Sequence, residues 1–170
     1  MPISAGQYSL DRFYEGQILS EQLDTFYKGI QEEYVNKEGA VIPYGRFVID
    51  DGYGEIKLPY ATGQDIIGFA AFQDRFARNQ DGTTGIPVDQ AIGVLYRGIV
   101  AVKAETALTR GSTVFIRHTD NVAPLDNESR GLVRADADGG NADELVTARV
   151  IEDVAAGEIA RVRLNIDALL

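Results

Sequence analysis

Beyond residue 40 the apolar positions come in short runs, and clusters of turn-forming residues separate one run from the next. "AVIPYGRFVIDDGYGEIKLP" (40–59) reads as strand, turn, strand, with Asp50, Asp51, Gly52 and Gly54 supplying the turn. "QDIIGFAAFQDRF" (64–76) predicts another strand, which runs into the polar "ARNQDGTTGIP" (77–87), a surface loop on its local signals. "AIGVLYRGIVAVKAE" (91–105) and "GSTVFIRHTD" (111–120) are β-branched runs joined by a short connector, and "ADADGGNADE" (135–144) predicts a second exposed loop. The closing "LVTARVIEDVAAGEIARVRLNI" (145–166) repeats the hairpin pattern. Its "RVIEDVAAGEI" aligns without a gap on the earlier "RFVIDDGYGEI", placing Arg46 over Arg149 and Gly54 over Gly157. So few identities are weak evidence of duplication and good evidence that both stretches are hairpins.

The first forty residues have a different texture. Tyr8, Phe13, Tyr14, Phe26, Tyr27 and Tyr34 concentrate aromatic mass there. Leu23, Phe26, Tyr27, Ile30 and Tyr34 recur at helical spacing behind Ser20 as an N-cap, although Gly29 weakens such a helix by about 1 kcal/mol relative to alanine. Two readings follow: these aromatics cover the domain's own core, or they form an arm that docks on a neighbour. The expected organisation is an N-terminal arm or short helix over 1–39, then an all-β domain over 40–170, a compact barrel or sandwich of jelly-roll or tulip-like form.

Charge and composition narrow the function. The chain carries 26 Asp and Glu against 16 Lys and Arg, a formal charge of −10, so a phosphate backbone would be repelled unless basic residues gathered on one face. The densest basic grouping, "ARVRL", only places Arg161 and Arg163 on one side of a strand, and nucleic acid is not an expected partner. Zero cysteines exclude disulfides, thiolate catalysis and thiolate metal sites. The amino terminus lacks the basic start and apolar run of a signal peptide, and no stretch of about 18 apolar residues occurs. The expectation is a soluble protein made and used without export, with no membrane partner.

Candidate chemistry is thin. A serine hydrolase needs a base within hydrogen-bond reach of its nucleophile. Ser112 and the single histidine, His118, are six residues apart on what reads as one strand, about 20 Å at strand rise, so they cannot touch. Asp136, Asp138, Asn141, Asp143 and Glu144 invite a calcium reading, but Gly140 stands where a ligand belongs and Asn141 where the turn glycine belongs. The doublets Asp50–Asp51 and Glu152–Asp153 point to opposite faces of their strands and could not face one sugar. No catalytic residue, metal or cofactor is expected.

With the strands laid out, "AVIPYGRFVI", "IKLP", "IIGFAAF", "VLYRGIVAVKAE", "LTRGSTVFIR" and "ARVIEDVAAGEIARVRLN" together resemble the head-decoration, or capsid cement, proteins of tailed bacteriophages. The most specific parts are the run from Gly93 to Arg117 and the closing "AAGEIARVRLN". The resemblance implies a small β domain in the virion, made in the host cytoplasm. It would bind the exterior of the mature capsid in several copies and bridge neighbouring major capsid subunits. It implies no catalytic residues, and a homo-oligomer, a trimer ahead of a dimer. Tyr8, Phe13, Tyr14, Phe26 and Tyr27 are the expected capsid or oligomer contacts, because each buried aromatic contributes roughly 1.5–3 kcal/mol against the entropy of ordering an arm. The competing reading is a carbohydrate- or ligand-binding β module of a phage fibre or host-recognition protein, against which the absence of tryptophan counts.

Overall fold

The computed structural model describes residues 16–17, 30–71, 85–120 and 130–166. Among them are eleven strands: β1 (Ile30–Asn36), β2 (Arg46–Gly52), β3 (Glu55–Lys57), β4 (Ile66–Ala70), β5 (Ala91–Leu95), β6 (Arg97–Lys103), β7 (Val114–Arg117), β8 (Val133–Arg134), β9 (Ala142–Leu145), β10 (Ala148–Val150) and β11 (Ile159–Asn165). A 3-10 turn lies at Asp138–Gly140. The expected all-β class is what the chain adopts.

Five strands close into a barrel in the order β1-β3-β2-β4-β5, and two three-stranded sheets, β10-β11-β6 and β8-β7-β9, complete the domain. β1 runs parallel to β3 and antiparallel to β5, so this strand closes the ring. It lies inside the segment expected as arm or short helix. The helical spacing through Ile30 and Tyr34 is overridden there by pairing on both edges, with Val35 opposite Glu55 of β3 on one side and Ala91 of β5 on the other. Of the rest of that segment, Gly16 and Gln17 are described, and they exchange backbone hydrogen bonds of 2.8 Å with Ala101 of β6.

Burial is continuous along Arg46–Ile49 of β2 and Gly68–Ala70 of β4, where both faces of the strand are covered. On β2, Phe47 packs in one cluster and its neighbour Val48 in another; Leu95 and Val94 of β5 divide in the same way. Val48, Ile56, Leu58, Ala70, Ile92 and Val94 fill the barrel, whereas Phe47, Phe69 and Leu95 meet Val100, Val102, Ile116, Val162 and Leu164 of the outer sheets. Phe47 and Phe69 sit opposite each other across β2 and β4, edge to face, with ring centroids 5.3 Å apart. A five-stranded barrel is narrow, and Gly68 is where this shows. It pairs with Val48, and a Cβ on it would lie 2.3 Å from Val94 Cγ1 and 2.7 Å from the Leu95 carbonyl oxygen. Only a residue without a side chain lets β4 approach β5 so closely.

Both stretches aligned in the sequence are antiparallel hairpins, β2–β3 and β10–β11. The aligned glycines, Gly54 and Gly157, both take left-handed backbone at φ 77° and 83°. On β11 Ala160, Val162 and Leu164 are buried, which turns Arg161 and Arg163 to the outer face. The loop expected over 135–144 is shorter than its composition implied. Its second half is β9, paired with β7, with Ala142 and Leu145 in the interior, Asp143 half-buried and Glu144 exposed.

Candidate interaction surface

The residues singled out for chemistry are dispersed by the fold. Ser112 lies before β7 and donates its hydroxyl to the Thr109 carbonyl at 2.7 Å, which makes it a turn residue. His118, buried just beyond the end of β7, has Nδ1 3.0 Å from Thr119 Oγ1 and Nε2 3.9 Å from Asp143 Oδ1. Asp120, its neighbour in sequence, instead pairs with Arg130 at 3.3 Å. No serine, histidine and acid converge here.

The carboxylates of 135–144 are likewise each held by protein donors. Asp136 and Asp138 accept from arginines, Asp143 accepts from Thr62 Oγ1 at 2.9 Å and the Gly63 N–H at 2.6 Å, and Glu144 accepts from Thr113 Oγ1 at 2.6 Å. The doublets separate too. Asp50 accepts the Gly52 N–H at 2.8 Å while Asp51 pairs with Lys57 at 2.5 Å. Glu152 takes a two-pronged bond from Arg161, at 2.6 and 2.5 Å, and Asp153 accepts the Arg110 N–H at 2.8 Å. These acids hold turns and strand ends together.

A buried ion network that the sequence did not reveal joins the layers. Arg117 of β7 directs Nε to both oxygens of Glu105, at 2.7 and 2.8 Å, and one terminal nitrogen to Asp138 at 2.8 Å. Arg134 of β8 reaches the same two carboxylates, at 3.3 and 2.9 Å. Glu105 follows β6, so the network ties the β10-β11-β6 sheet to the β8-β7-β9 sheet. Burial disfavours the charged form of Arg117, yet Glu105 and Asp138 outweigh it and raise its pKa. The hydrogen bond from Arg117 holds the Asp138 carboxyl below its ordinary value. A second buried pair, Arg130 with Glu38, links the chain before β8 to the barrel, where Glu38 also accepts the Leu58 N–H. Arginine inside the apolar runs "TVFIRH" and "GLVRAD" was the one available sign of these pairs.

The outward features gather elsewhere. Tyr53, at the tip of the β2–β3 hairpin, is fully exposed at 105% of its reference area. Gly52 and Glu55 are paired across the hairpin, leaving Tyr53 and Gly54 as a two-residue turn at φ 58° and 77°. Positive φ at both central positions is the mark of a type I′ turn, whose first place is normally taken by Asn, Asp or Gly. A tyrosine there carries about 1 kcal/mol of backbone strain. The five N-terminal aromatics expected as contacts, Tyr8, Phe13, Tyr14, Phe26 and Tyr27, lie outside the described residues.

Buried ion pairs thus join the two outer sheets to each other and the chain before β8 to the barrel, and the side chains singled out for chemistry are committed to structural contacts. The family model described as "Structural cement protein (E217 gp24/Pam3 gp6)" matches residues 1–165, and the chain belongs to this family of phage cement proteins. It is thus a structural protein of the phage virion. A chain of the solved structure "The capsid of Myoviridae Phage XM1" shares the fold, with a TM-score of 0.62 at 19% identity, the match covering 90% of each chain. No curated protein matches.

Proposed function

We propose that this protein is a non-enzymatic cement that binds the exterior of the mature capsid and bridges neighbouring major capsid subunits, stabilising the head. The observation that carries the reading is the cement-family match along residues 1–165. Two physical features support it. A cement must transmit load between subunits without deforming, and the arginine–carboxylate network braces one sheet against the next. A formal charge of −10 also suits a surface that need not touch packaged nucleic acid. Repetition on a symmetric shell turns modest contacts into high avidity when several engage together. The protein acts as a homo-oligomer, a trimer in preference to a dimer, and Tyr8, Phe13, Tyr14, Phe26 and Tyr27 serve as arm contacts.

The experiment is co-sedimentation with expanded, DNA-free capsids of the major capsid protein from the same genome. Saturable binding at a fixed copy number, with greater resistance of the shells to heat, is the expected result. No binding to expanded or unexpanded shells refutes the reading. Replacing Phe13 and Tyr14 with serine is expected to weaken binding while leaving the β circular dichroism intact.

A further inference from the structure

Among the described residues the exposed large hydrophobic side chains are Tyr53, Tyr60, Val88 and Val146. Three of these four are carried by two segments that flank one strand. Val35 of β1 pairs on one side with Glu55, next to the Tyr53 tip, and on the other with Ala91, just after the turn that carries Val88. Because β3 runs parallel to β1 and β5 antiparallel to it, the Tyr53 tip and Val88 lie toward opposite ends of β1, roughly 16 Å apart along it at about 3.3 Å per residue. Among the described residues Tyr53 thus stands alone at its tip. The same two segments hold two of the three non-glycine residues with left-handed backbone, Tyr53 at φ 58° and Asp89 at φ 61°.

The region is braced from behind. Val35 donates its N–H to the Gly54 carbonyl at 2.9 Å, the Asp50 carboxylate accepts the Gly52 N–H at 2.8 Å, and the Tyr60 hydroxyl meets Asp51 at 3.1 Å. Lys37 fixes the neighbouring turn through Asp89 at 2.6 Å. A tip whose backbone is held this firmly presents its side chain from a fixed Cα, so little backbone freedom remains to be lost on binding. Strain at an exposed position, where asparagine or glycine would relieve it, contributes nothing to folding and keeps an aromatic ring in water.

The surrounding charge defines the partner. On the hairpin Asp50, Asp51 and Glu55 stand against Lys57, leaving the rim net acidic. A two-fold contact with a second copy would set these carboxylates against themselves, because such an interface brings the same patch from both partners together. A surface with an apolar socket edged by Lys or Arg has the matching chemistry.

We propose that the β2–β3 hairpin is an anchor that seats the Tyr53 ring in a basic-rimmed apolar socket on the capsid shell. This rests on the capsid-binding reading and adds to it the element that makes contact. Tyr60, whose hydroxyl meets Asp51, borders the same hairpin.

The test compares wild type, Tyr53→Asn and Tyr53→Gly for melting temperature, self-association and binding to expanded shells. Both substitutions suit the type I′ turn, so melting temperature is expected to hold or rise. Shell affinity is expected to fall about thirty-fold, as for removal of an aromatic hot spot. Wild-type binding is expected to weaken as salt rises, and Asp50→Asn with Glu55→Gln to flatten that dependence. Unchanged shell binding by both Tyr53 variants overturns the anchor while leaving the capsid reading standing. Loss of self-association with shell affinity retained makes a second copy the occupant and overturns it as well. Absence of wild-type binding removes the capsid reading, and the anchor falls with it.

Discussion

Glu105→Gln tests the buried ion network most directly. Glutamine keeps the shape of the side chain and one acceptor oxygen but removes the negative charge that faces two arginines. Arg117 and Arg134 are only 3% and 8% exposed at their side chains, so water cannot replace what is lost. Arg117 surrenders one of two bonds to Glu105 and keeps Asp138 at 2.8 Å; Arg134 keeps Asp136 and Asp138, at 2.8 and 2.9 Å. Breaking a buried pair from one side costs about 3–5 kcal/mol, and the surviving partners place this case near 3 kcal/mol. For a domain of this size that shifts the melting temperature down by roughly 6–12 °C. Equilibrium urea unfolding is the assay, with the midpoint falling and the slope unchanged. The double variant Glu105→Leu with Arg117→Met, set beside Glu105→Leu and Arg117→Met alone, makes a cycle and should recover much of the loss of the single variants, because no unpaired charge is left at that pair. A loss under about 1 kcal/mol for Glu105→Gln would refute the argument, since it would mean that the pair is solvated like a surface bridge.

Two further outcomes follow from the geometry. The carboxyls of Asp51, Asp138 and Glu152 are held below their ordinary range by hydrogen bonds from Lys57, Arg117 and Arg161 respectively. The folded chain therefore binds fewer protons than the unfolded one through this range. The associated stability is fully present above the unfolded carboxylate pKa of about 4 and is lost as pH falls through the lower folded values. Urea midpoints should be level from about pH 7 to 5 and decline below about pH 4; a level profile to about pH 3 would contradict the assignment. Gly68→Ala should destabilise by about 1–3 kcal/mol, because its Cβ would press on Val94 and on the immovable Leu95 carbonyl, and thermal melting that is unchanged would show that β4 can draw back from β5.

The legible part of the fold was local. The hairpin at Asp50–Gly54 and the runs that became β4, β5 and β6 follow from alternation, β-branching and turn chemistry, which neighbouring residues settle among themselves. β1 was misread because Ile30 and Tyr34 also satisfy a helical period, and β9 because Ala142, Asp143 and Glu144 form an acidic stretch of low β-propensity; both strands are selected by partners far along the chain. The candidate site followed the same division. "DDGYGE" announces a turn, but nothing in it says that Tyr53 rather than a glycine takes the left-handed first position with its ring in solvent.

By itself the sequence determined an acidic, cysteine-free, strand-rich chain with no constellation for catalysis, and the likeness to phage cement proteins, because composition, period and turn signals are carried residue by residue. Only the tertiary structure decided the closure of the barrel through β1, the narrow crossing that requires Gly68, and the burial of Arg117 and Arg134. Each depends on groups brought together from distant positions. A charged side chain can be buried only where remote carboxylates offset its desolvation, and a strand can close a ring only where two remote edges stand open to receive it.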